Sequence, residues 1–381
     1  MDETSRQVQA ALTATSEFQI INEINEGMNA YAYRAKQPNL SREVFIKAYY
    51  YSEDDRDDLL REPRLLVQAT GGLQTNQNIV QVFDGRLLNV QGEQYFCLIM
   101  EYVSGQSLLK HIENNCVGQQ DAVRLICGIL NGISHLHSEP NRILHRDLKP
   151  ANILLAGNVP KITDFGSCAR LADGCLAVGA SRHSPIYVPP EGWGVPSIYG
   201  FSSDLYQCGA VLYELINGPF EYTPKHWVPT SRFKELVQEG KPFEQMDDFA
   251  QSEEVNKGIE WFACRRRLLE HGRKPQPYLS SALKRIIAKA THPAHCKRYQ
   301  SAAEFATAAS RINVPNWVAI SDDEFRCDGW RGYNWCVRAL TKSAPYVEVT
   351  RAKTNSTTWR QIHDYKSTKL DEAFQRIENF R

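Results

Sequence analysis

The sequence predicts an α+β protein in three consecutive parts: a small β-rich region, a larger helical region and a short α+β module. Alternating and β-branched runs fill the first hundred positions, interrupted by one charged helical stretch at 53–69. After Gly105 apolar residues instead recur three and four apart, as they do on one face of a helix. Four tryptophans beyond Pro315 mark the third part.

Five strand candidates follow a short helical arm at 5–15 in the first part. They lie at 18–24, 30–35, 43–50, 79–83 and 95–101. Three strands, the helical stretch and two further strands suit a small sheet with one helix packed against it. We therefore assign residues 1–16 to an N-terminal arm and 17–103 to the β-rich region.

Residues 104–313 form the predicted helical region. Its first long helix, at 121–137, carries apolar residues spaced three and four apart from Val123 to Leu136. Further helical patterns lie at 203–217, 282–290 and 302–312. The long polar stretch at 219–276, studded with Trp and Phe, predicts an insertion with helices of its own.

Residues 314–381 predict a separate accessory module. Strand patterns at 335–340 and 346–350 precede a helix with Leu370, Phe374 and Ile377 on one face. The segment is too aromatic for a disordered tail. Trp330 and Trp335 stand beside glycines and are expected to be exposed, which favours a docking surface for a protein partner. Packing against the preceding region as an extra structural layer is the alternative.

Composition excludes several classes of function. Among the 381 residues, Lys plus Arg equals Asp plus Glu, so no overall basic field favours nucleic acid. No apolar run reaches the roughly 18 residues that a membrane span needs, and the polar N-terminus lacks a secretory pattern. The ten cysteines are scattered without a C-x-x-C pair, which argues against zinc or redox sites. These features predict a cytoplasmic protein with reduced thiols.

Two linked motifs carry the chemistry. HRDLKPAN occupies positions 145–152, and DFG follows at 164–166. Together, after an amphipathic helix, they resemble the catalytic loop and the metal-binding loop of protein kinases. The chain is thereby identified as resembling the bacterial Hanks-type serine/threonine protein kinases. The resemblance covers about 17–313 and implies a bilobal fold, with a β-rich N-lobe, a helical C-lobe and ATP bound between them.

The resemblance implies a role for each polar residue of these motifs. Asp147 would accept the proton of the substrate hydroxyl, and Lys149 would reach the γ-phosphate. Asn152 and Asp164 would supply oxygen ligands to Mg²⁺, with Mn²⁺ as an alternative metal. Lysine at position 149 is typical of the serine/threonine type.

The β-rich region should then supply a lysine and a glutamate. VFIK at 44–47 resembles the V-A-I-K of the third kinase strand and points to Lys47. Glu62 is the best partner for this lysine. Three other acidic residues compete with it: Glu53, Asp57 and Asp58. The following Pro63 starts or kinks the helix there.

The loop that would cover the phosphates departs from the family pattern G-x-G-x-x-G-x-V. The matching stretch is 25–32, where only Gly27 of the three glycines remains. Asn25 takes the first glycine position and tolerates left-handed backbone. Ala32 takes the place of the valine. The loop would still close over ATP.

The segment 98–103 resembles the hinge that binds adenine. Backbone groups of Glu101 and Val103 would hydrogen-bond the base. Met100 would lie at the back of the nucleotide pocket.

The activation segment would run from Asp164 to Glu191, with Phe165 as a packing residue and Gly166 completing the metal-binding loop. Ser184 would hydrogen-bond Asp147 and Lys149, a feature of serine/threonine kinases. Further structural roles fall to Glu191, which would pair with Arg298, and to Asp204, which would brace the catalytic loop.

Because Arg146 precedes the catalytic base, an anion is expected to order the activation segment. Ser181 lies at about the right place for a phosphate, with Ser167 as the alternative. Autophosphorylation at Ser181 is therefore predicted.

The sequence thus predicts an ATP-dependent serine/threonine protein kinase. Two alternatives stay open. The eroded glycine loop and Pro63 would suit a nucleotide-binding pseudokinase that acts as a scaffold. A small-molecule phosphotransferase of kinase-like fold is less consistent with the PPE motif at 189–191 and Arg298, which such enzymes generally lack.

Overall fold

A computed structural model of the chain describes most of its residues. The described ranges are 3–24, 30–51, 64–65, 67, 70, 76–172, 174–179, 184–340, 346–362 and 369–380. Asn25, Gly27, Glu62 and Ser181, which the sequence singles out, lie outside these ranges.

A five-stranded antiparallel sheet forms the N-lobe behind helix α1 (Glu3–Ala14). Its strands are β1 (Gln19–Ile24), β2 (Tyr31–Gln37), β3 (Arg42–Tyr51), β4 (Val82–Val90) and β5 (Glu93–Glu101), in the order β1-β2-β3-β5-β4. The strand predicted at 79–83 is misplaced, because β4 begins only at Val82 and continues to Val90. Asp84 and Gly85 resemble a turn in the sequence, but they pair with Ile99 and Leu98 of β5. Tertiary pairing therefore overrides the local signal.

Alternation along β3 separates the two faces of this sheet. Val44, Ile46 and Ala48 are buried on the outer face, where α1 covers them. Phe45 and Lys47 point to the inner face, and Phe45 packs against the main core of the protein. The alternation thus places Lys47 on the side of the sheet that faces the C-lobe.

Within the described ranges, eight α-helices lie in the C-lobe. The C-lobe helices are α2 (Leu108–Asn114), α3 (Gln119–His137), α4 (Phe201–Asn217), α5 (Thr230–Gln238), α6 (Asp248–Cys264), α7 (Leu268–Gly272), α8 (Ser281–Ala290) and α9 (Ala302–Ser310). Helix α4 is buried from Ser203 to Asn217, so it forms the centre of the lobe. Within the described ranges, no helix has the length and apolar character that crossing a bilayer requires.

Short antiparallel strand pairs frame the loops between α3 and α4. They are β6 (Ile143–Leu144) with β9 (Ala169–Arg170), β7 (Ile153–Ala156) with β8 (Val159–Ile162), and β10 (Val178–Gly179) with β11 (Ile198–Tyr199). The HRDLKPAN motif spans the connection between β6 and β7. The two lobes and their topology agree with the predicted bilobal fold.

A second five-stranded antiparallel sheet and a helix follow the C-lobe. They comprise β12 (Val318–Ala319), β13 (Glu324–Trp330), β14 (Tyr333–Leu340), β15 (Tyr346–Lys353), β16 (Arg360–Gln361) and α10 (Leu370–Glu378). The prediction found β14, β15 and α10 but missed β13. Charged residues and a glycine interrupt its apolar pattern, and its pairing with β14 carries a register shift between Cys327 and Trp330.

The expectation that Trp330 and Trp335 are exposed is wrong. Their side chains are 7% and 0% exposed. The indole N–H of Trp330 donates to the Ile377 carbonyl at 3.0 Å, and that of Trp335 donates to the Trp330 carbonyl at 3.1 Å. Both tryptophans therefore belong to the hydrophobic core, and they do not form a docking surface for a partner.

The C-terminal sheet shares its core with the C-lobe. The ring of Tyr278 lies 5.6 Å from that of Phe325 and 5.9 Å from that of Phe374, both in edge contacts. These aromatic pairs join the two hydrophobic clusters into one. The packing corresponds to the extra structural layer that the sequence left as an alternative.

The start of α3 also latches the segment that leads into this sheet. The buried amide of Gln119 donates to the Pro315 carbonyl at 3.0 Å and accepts from the Ser280 N–H at 2.9 Å. A Cβ atom at Gly118 would lie 2.2 Å from Oδ1 of Asn316. A side chain at position 118 would therefore displace that of Asn316, so glycine leaves room for the Asn316 amide.

We predict that Gln119→Ala lowers the free energy of unfolding by about 2 kcal/mol, because a buried carbonyl and a buried N–H lose their partner. Denaturant unfolding measures the effect. Gln375→Ala on the exposed face of α10 is the control, with a change within about 0.5 kcal/mol. Equal losses in the two variants would contradict the proposed latch.

Candidate active site

The catalytic loop brings three of the predicted residues into contact. The ammonium of Lys149 lies 2.9 Å from Oδ2 of Asp147. The side-chain amide of Asn152 donates to the same oxygen at 3.0 Å and to the Asp147 carbonyl at 2.9 Å. In the described part of the chain, Oδ1 of Asp147 has no hydrogen-bond partner. One oxygen of this nearly buried carboxylate is thus held, and the other is available to a substrate.

The backbone around this loop is strained at two positions. Arg146 has a φ of +67° and Asp164 a φ of +60°, in the left-handed region that non-glycine residues rarely adopt. Each such residue costs on the order of 1–3 kcal/mol. The carboxylate of Asp204 offsets the strain at Arg146, since it accepts the N–H groups of His145 and Arg146, both at 2.9 Å.

His137 supports Asp204 and was not found by the sequence analysis. Its Nε2 lies 2.8 Å from Oδ2 of Asp204. Complete burial of the carboxyl group opposes its ionisation, but hydrogen bonding by His137 and the backbone of His145 keeps the pKa of Asp204 below its usual value. A histidine at the end of the amphipathic helix α3 was the available signal.

Gln207 is a second residue that sequence reasoning missed. Its amide oxygen accepts the N–H of Leu148 at 3.0 Å, and its amide nitrogen donates to the carbonyls of Arg146 and Tyr187 at 3.2 and 3.3 Å. Gln207 lies one helical turn after Asp204 on α4. The same helix therefore holds the catalytic loop and the end of the activation segment.

The oxygen donors expected to bind the metal fit a magnesium ion. The amide nitrogen of Asn152 is engaged by Asp147, which leaves its carbonyl oxygen as the donor. The Asp164 carboxylate is exposed and has no hydrogen-bond or ion-pair partner within the described ranges. Hard oxygen ligands of this kind are those that Mg²⁺ and Mn²⁺ prefer.

Packing holds the metal-binding loop in place. Phe165 is buried, and its ring makes an edge contact with that of His145 at 5.4 Å. His145 in turn hydrogen-bonds the Thr163 carbonyl at 3.1 Å. Gly166, by contrast, is exposed. The residues on both sides of Asp164 are thus tied to the catalytic loop.

The nucleotide-side residues lie on the inner face of the N-lobe and at its last strand. Ala32 pairs directly with Lys47 across β2 and β3. Met100 is buried in the core. The Glu101 N–H already donates to the Gln81 carbonyl at 2.8 Å, so only the Glu101 carbonyl remains for a ligand. The N–H and carbonyl of Val103 have no hydrogen-bond partner in the described residues.

The end of the activation segment contacts the catalytic loop through Lys149. Its ammonium donates to the Ser184 hydroxyl at 2.7 Å. The direct hydrogen bond expected between Ser184 and Asp147 is not formed in the described structure, because Lys149 lies between the two side chains and contacts both.

Glu191 and Arg298 form a bidentate ion pair with both N–O distances at 2.7 Å. Arg298 is 2% exposed, and it also donates to the carbonyls of His292, Ser202 and Pro293. The Ser203 hydroxyl donates to Glu191 at 2.8 Å. A buried charge pair of this kind is stable only when its remaining hydrogen-bonding groups are satisfied, as they are here.

Arg146 contacts backbone carbonyls of the activation segment. Its guanidinium donates to the carbonyl of Ser167 at 2.5 Å and to that of Gly179 at 2.6 Å. Gly179 belongs to β10, which pairs with β11. The alternative phosphate acceptor, Ser167, is buried. Peptide carbonyls thus occupy donors that the sequence analysis assigned to an anion.

The fold and these contacts agree with the comparison to known proteins. Residues 18–308 match the model of the protein kinase domain, which is more than half of the chain. The chain belongs to the protein kinase family. The predicted resemblance to bacterial kinases is also confirmed by its relatives.

One relative is the serine/threonine-protein kinase PrkC of Bacillus subtilis, 33% identical over 210 residues, which are 54% of this chain and 31% of PrkC. Another is the probable serine/threonine-protein kinase PknB of Bifidobacterium longum, 30% identical over 220 residues, or 55% of this chain and 31% of PknB. The fungal kinase CLA4 of Candida albicans is 30% identical over 210 residues, covering 54% of this chain and 20% of CLA4. The chain thus spans less than a third of each of these relatives.

The kinase C-lobe contains a fully buried carboxyl group, that of Glu214. It accepts hydrogen bonds from the Tyr187 hydroxyl at 2.8 Å and from the Phe220 N–H at 2.9 Å. Burial nevertheless dominates and raises the pKa of Glu214 to about 8. Because Tyr187 follows Ser184 in the activation segment, its hydrogen bond to Glu214 connects this segment to α4.

A raised pKa in the folded protein makes the contribution of Glu214 to stability largest below about pH 4.5, and that contribution is lost as the pH rises through about 8. We predict that the unfolding free energy of the wild type falls relative to that of Glu214→Gln by up to about 1.4 kcal/mol per pH unit in this window. Urea unfolding at several pH values measures the difference. Parallel pH profiles for the two proteins would contradict the shifted pKa.

Proposed function

We propose that this kinase transfers the γ-phosphoryl group of ATP to serine and threonine hydroxyls of protein substrates, with Mg²⁺ as the metal. The arrangement of Lys149, Asp147 and Asn152 carries the proposal. It leaves one carboxylate oxygen available beside a fixed cation, as phosphoryl transfer to a hydroxyl requires.

In the proposed mechanism Asp147 orients the substrate hydroxyl and accepts its proton through Oδ1. Lys149 places positive charge next to the transferred phosphoryl group while it contacts Asp147 and Ser184. Asn152 and Asp164 would hold the metal, which neutralises phosphate charge when bound. The contact between Lys149 and Ser184 supports specificity for serine and threonine.

The nucleotide would lie between the inner face of the N-lobe and the catalytic loop. Lys47, with Glu62 as its partner, would bind the phosphates. The remaining nucleotide contacts are assigned to Asn25, Gly27, Ala32, Met100, Glu101 and Val103. The N–H and carbonyl of Val103, which have no hydrogen-bond partner in the described residues, support this assignment.

We further propose a cytoplasmic protein, since its ten cysteines are scattered and reduced thiols are typical of that compartment. We also propose that it has no affinity for nucleic acid, since its positive and negative charges balance.

The boundaries 1–16, 17–103, 104–313 and 314–381 remain a proposed division of the chain, with 219–276 as an insertion. A protein partner could still dock on 314–381, but through surfaces other than the two buried tryptophans. The loss of two of the three glycines from the phosphate loop favours a pseudokinase as the second candidate.

We predict that Asp147→Ala lowers phosphate incorporation into a generic basic protein by at least about 100-fold, because the hydroxyl loses its base and its orientation. Radiolabelled Mg-ATP measures the incorporation. Asp323→Ala on the exposed surface of the C-terminal sheet is the control and keeps wild-type activity. A wild type that binds Mg-ATP without any incorporation would support the pseudokinase.

We also predict that the active kinase phosphorylates Ser181. Mass mapping after incubation with Mg-ATP should find the modification in the wild type and not in Asp147→Ala, because the phosphate would come from the kinase itself. An active protein with an unmodified segment at 167–184 would contradict autophosphorylation there.

A further inference from the structure

Helix α1 covers the outer face of the N-lobe sheet, opposite the proposed nucleotide site. Val8 and Leu12 are 0% and 1% exposed and pack into a cluster with Phe18, Tyr33 and Val44. This apolar contact packs the helix across the sheet, from β1 to β4. It does not by itself explain the polar contacts that α1 also makes.

Ser5 joins α1 to the last residue pair but one of the β1–β2 hairpin. The Ser5 hydroxyl is 0% exposed and donates to the Glu23 carboxylate at 2.6 Å. The Tyr33 hydroxyl donates to the Ser5 carbonyl at 2.8 Å and lies 3.1 Å from the Ser5 hydroxyl. Glu23 and Tyr33 are partners in the β1–β2 register. One serine therefore contacts both strands at the same rung.

This rung lies next to residues that face the nucleotide. The following pair in the register is Ile24 with Ala32, and Ala32 pairs in turn with Lys47. Neighbouring residues on a strand point to opposite faces. Tyr33 thus faces α1, while Ala32 faces the inner side with Lys47. A displacement of Tyr33 from Ser5 on the outer face would therefore shift Ala32 on the inner face.

A second polar contact connects the chain after α1 to the far end of β2. Glu17, in the turn after α1, accepts hydrogen bonds from Arg86 of β4 at 2.5 Å and from Gln37 at the end of β2 at 2.7 Å. The hydrogen bonds to Arg86 and Gln37 lower the pKa of Glu17 despite its partial burial. The hairpin is thus held at the Ser5 end near the nucleotide site and at the far end of β2.

We propose that Ser5 is a positioning residue for nucleotide binding. Through its contacts with Glu23 and Tyr33, α1 holds the β1–β2 hairpin in the position that ATP binding requires. The inference rests on the proposed binding of ATP between the lobes. The N-terminal arm is then a determinant of ATP affinity and not only a cover for apolar surface.

The test compares steady-state kinetics and Mg-ATP binding of the full chain with those of Ser5→Ala and Tyr33→Phe. We expect the KM for ATP and the Kd of Mg-ATP to rise by about three- to tenfold, which corresponds to the net contribution of one ordinary hydrogen bond. The values of kcat and of KM for the protein substrate should stay within about twofold, since only nucleotide binding is altered.

Thr13→Ala is the matched control. It removes a hydroxyl from the same helix, but that hydroxyl is exposed and donates only to the Gln9 carbonyl within α1, at 2.9 Å. Both substitutions to alanine favour the helix, so loss of helicity cannot explain a difference. The control should keep the ATP affinity of the wild type.

Three results are informative. Unchanged ATP affinity in Ser5→Ala and Tyr33→Phe would overturn the inference while leaving the kinase assignment intact. Equal loss in Thr13→Ala would overturn it as well, because the contact to Glu23 would then be irrelevant. A wild type that does not bind Mg-ATP would instead refute the proposed function, and the inference with it.

Discussion

The buried carboxylate of Asp204 fixes the geometry on which the active site depends. Arg146 adopts a left-handed backbone conformation that costs on the order of 1–3 kcal/mol. Asp204 compensates by accepting two backbone N–H groups, and such charge-assisted hydrogen bonds are stronger than neutral ones. His137 keeps this carboxylate ionised despite its complete burial. The orientation of the adjacent Asp147 follows, because its backbone continues directly from the restrained residues.

Helix α4 extends this control to the activation segment. One turn after Asp204, Gln207 connects the catalytic loop to Tyr187 through hydrogen bonds. Two turns further along the helix, Glu214 accepts a hydrogen bond from the Tyr187 hydroxyl. The Glu191–Arg298 pair then anchors the end of the segment. A helix buried from Ser203 to Asn217 cannot shift without disturbing the whole lobe. Asp147, the proposed base, and the segment that would present the substrate are therefore positioned against one rigid element.

The elements at the two ends of the chain are continuous with the lobes that they flank. Helix α1 shares a hydrophobic cluster with the N-lobe sheet, and the C-terminal sheet shares a cluster with the C-lobe. Buried polar contacts accompany both, at Ser5 and at Gln119. Because an unpaired buried polar group costs more than the bond contributes, these contacts specify where each element lies as well as how strongly it is held.

The sequence by itself determined the protein family and the type of chemistry. Each of the motifs HRDLKPAN and DFG is an unbroken run of residues, and the short distance between them along the chain identifies the pair. It also predicted most strands and helices, because alternation and helical periodicity are local. Only the tertiary structure decided which polar residues support the site: His137, Gln207 and Glu214 contact partners distant in sequence. It likewise decided that Trp330 and Trp335 are buried, that β13 is a strand, and that Ser5 lies against Glu23. Each of these depends on long-range packing, for which no single segment carries a signal.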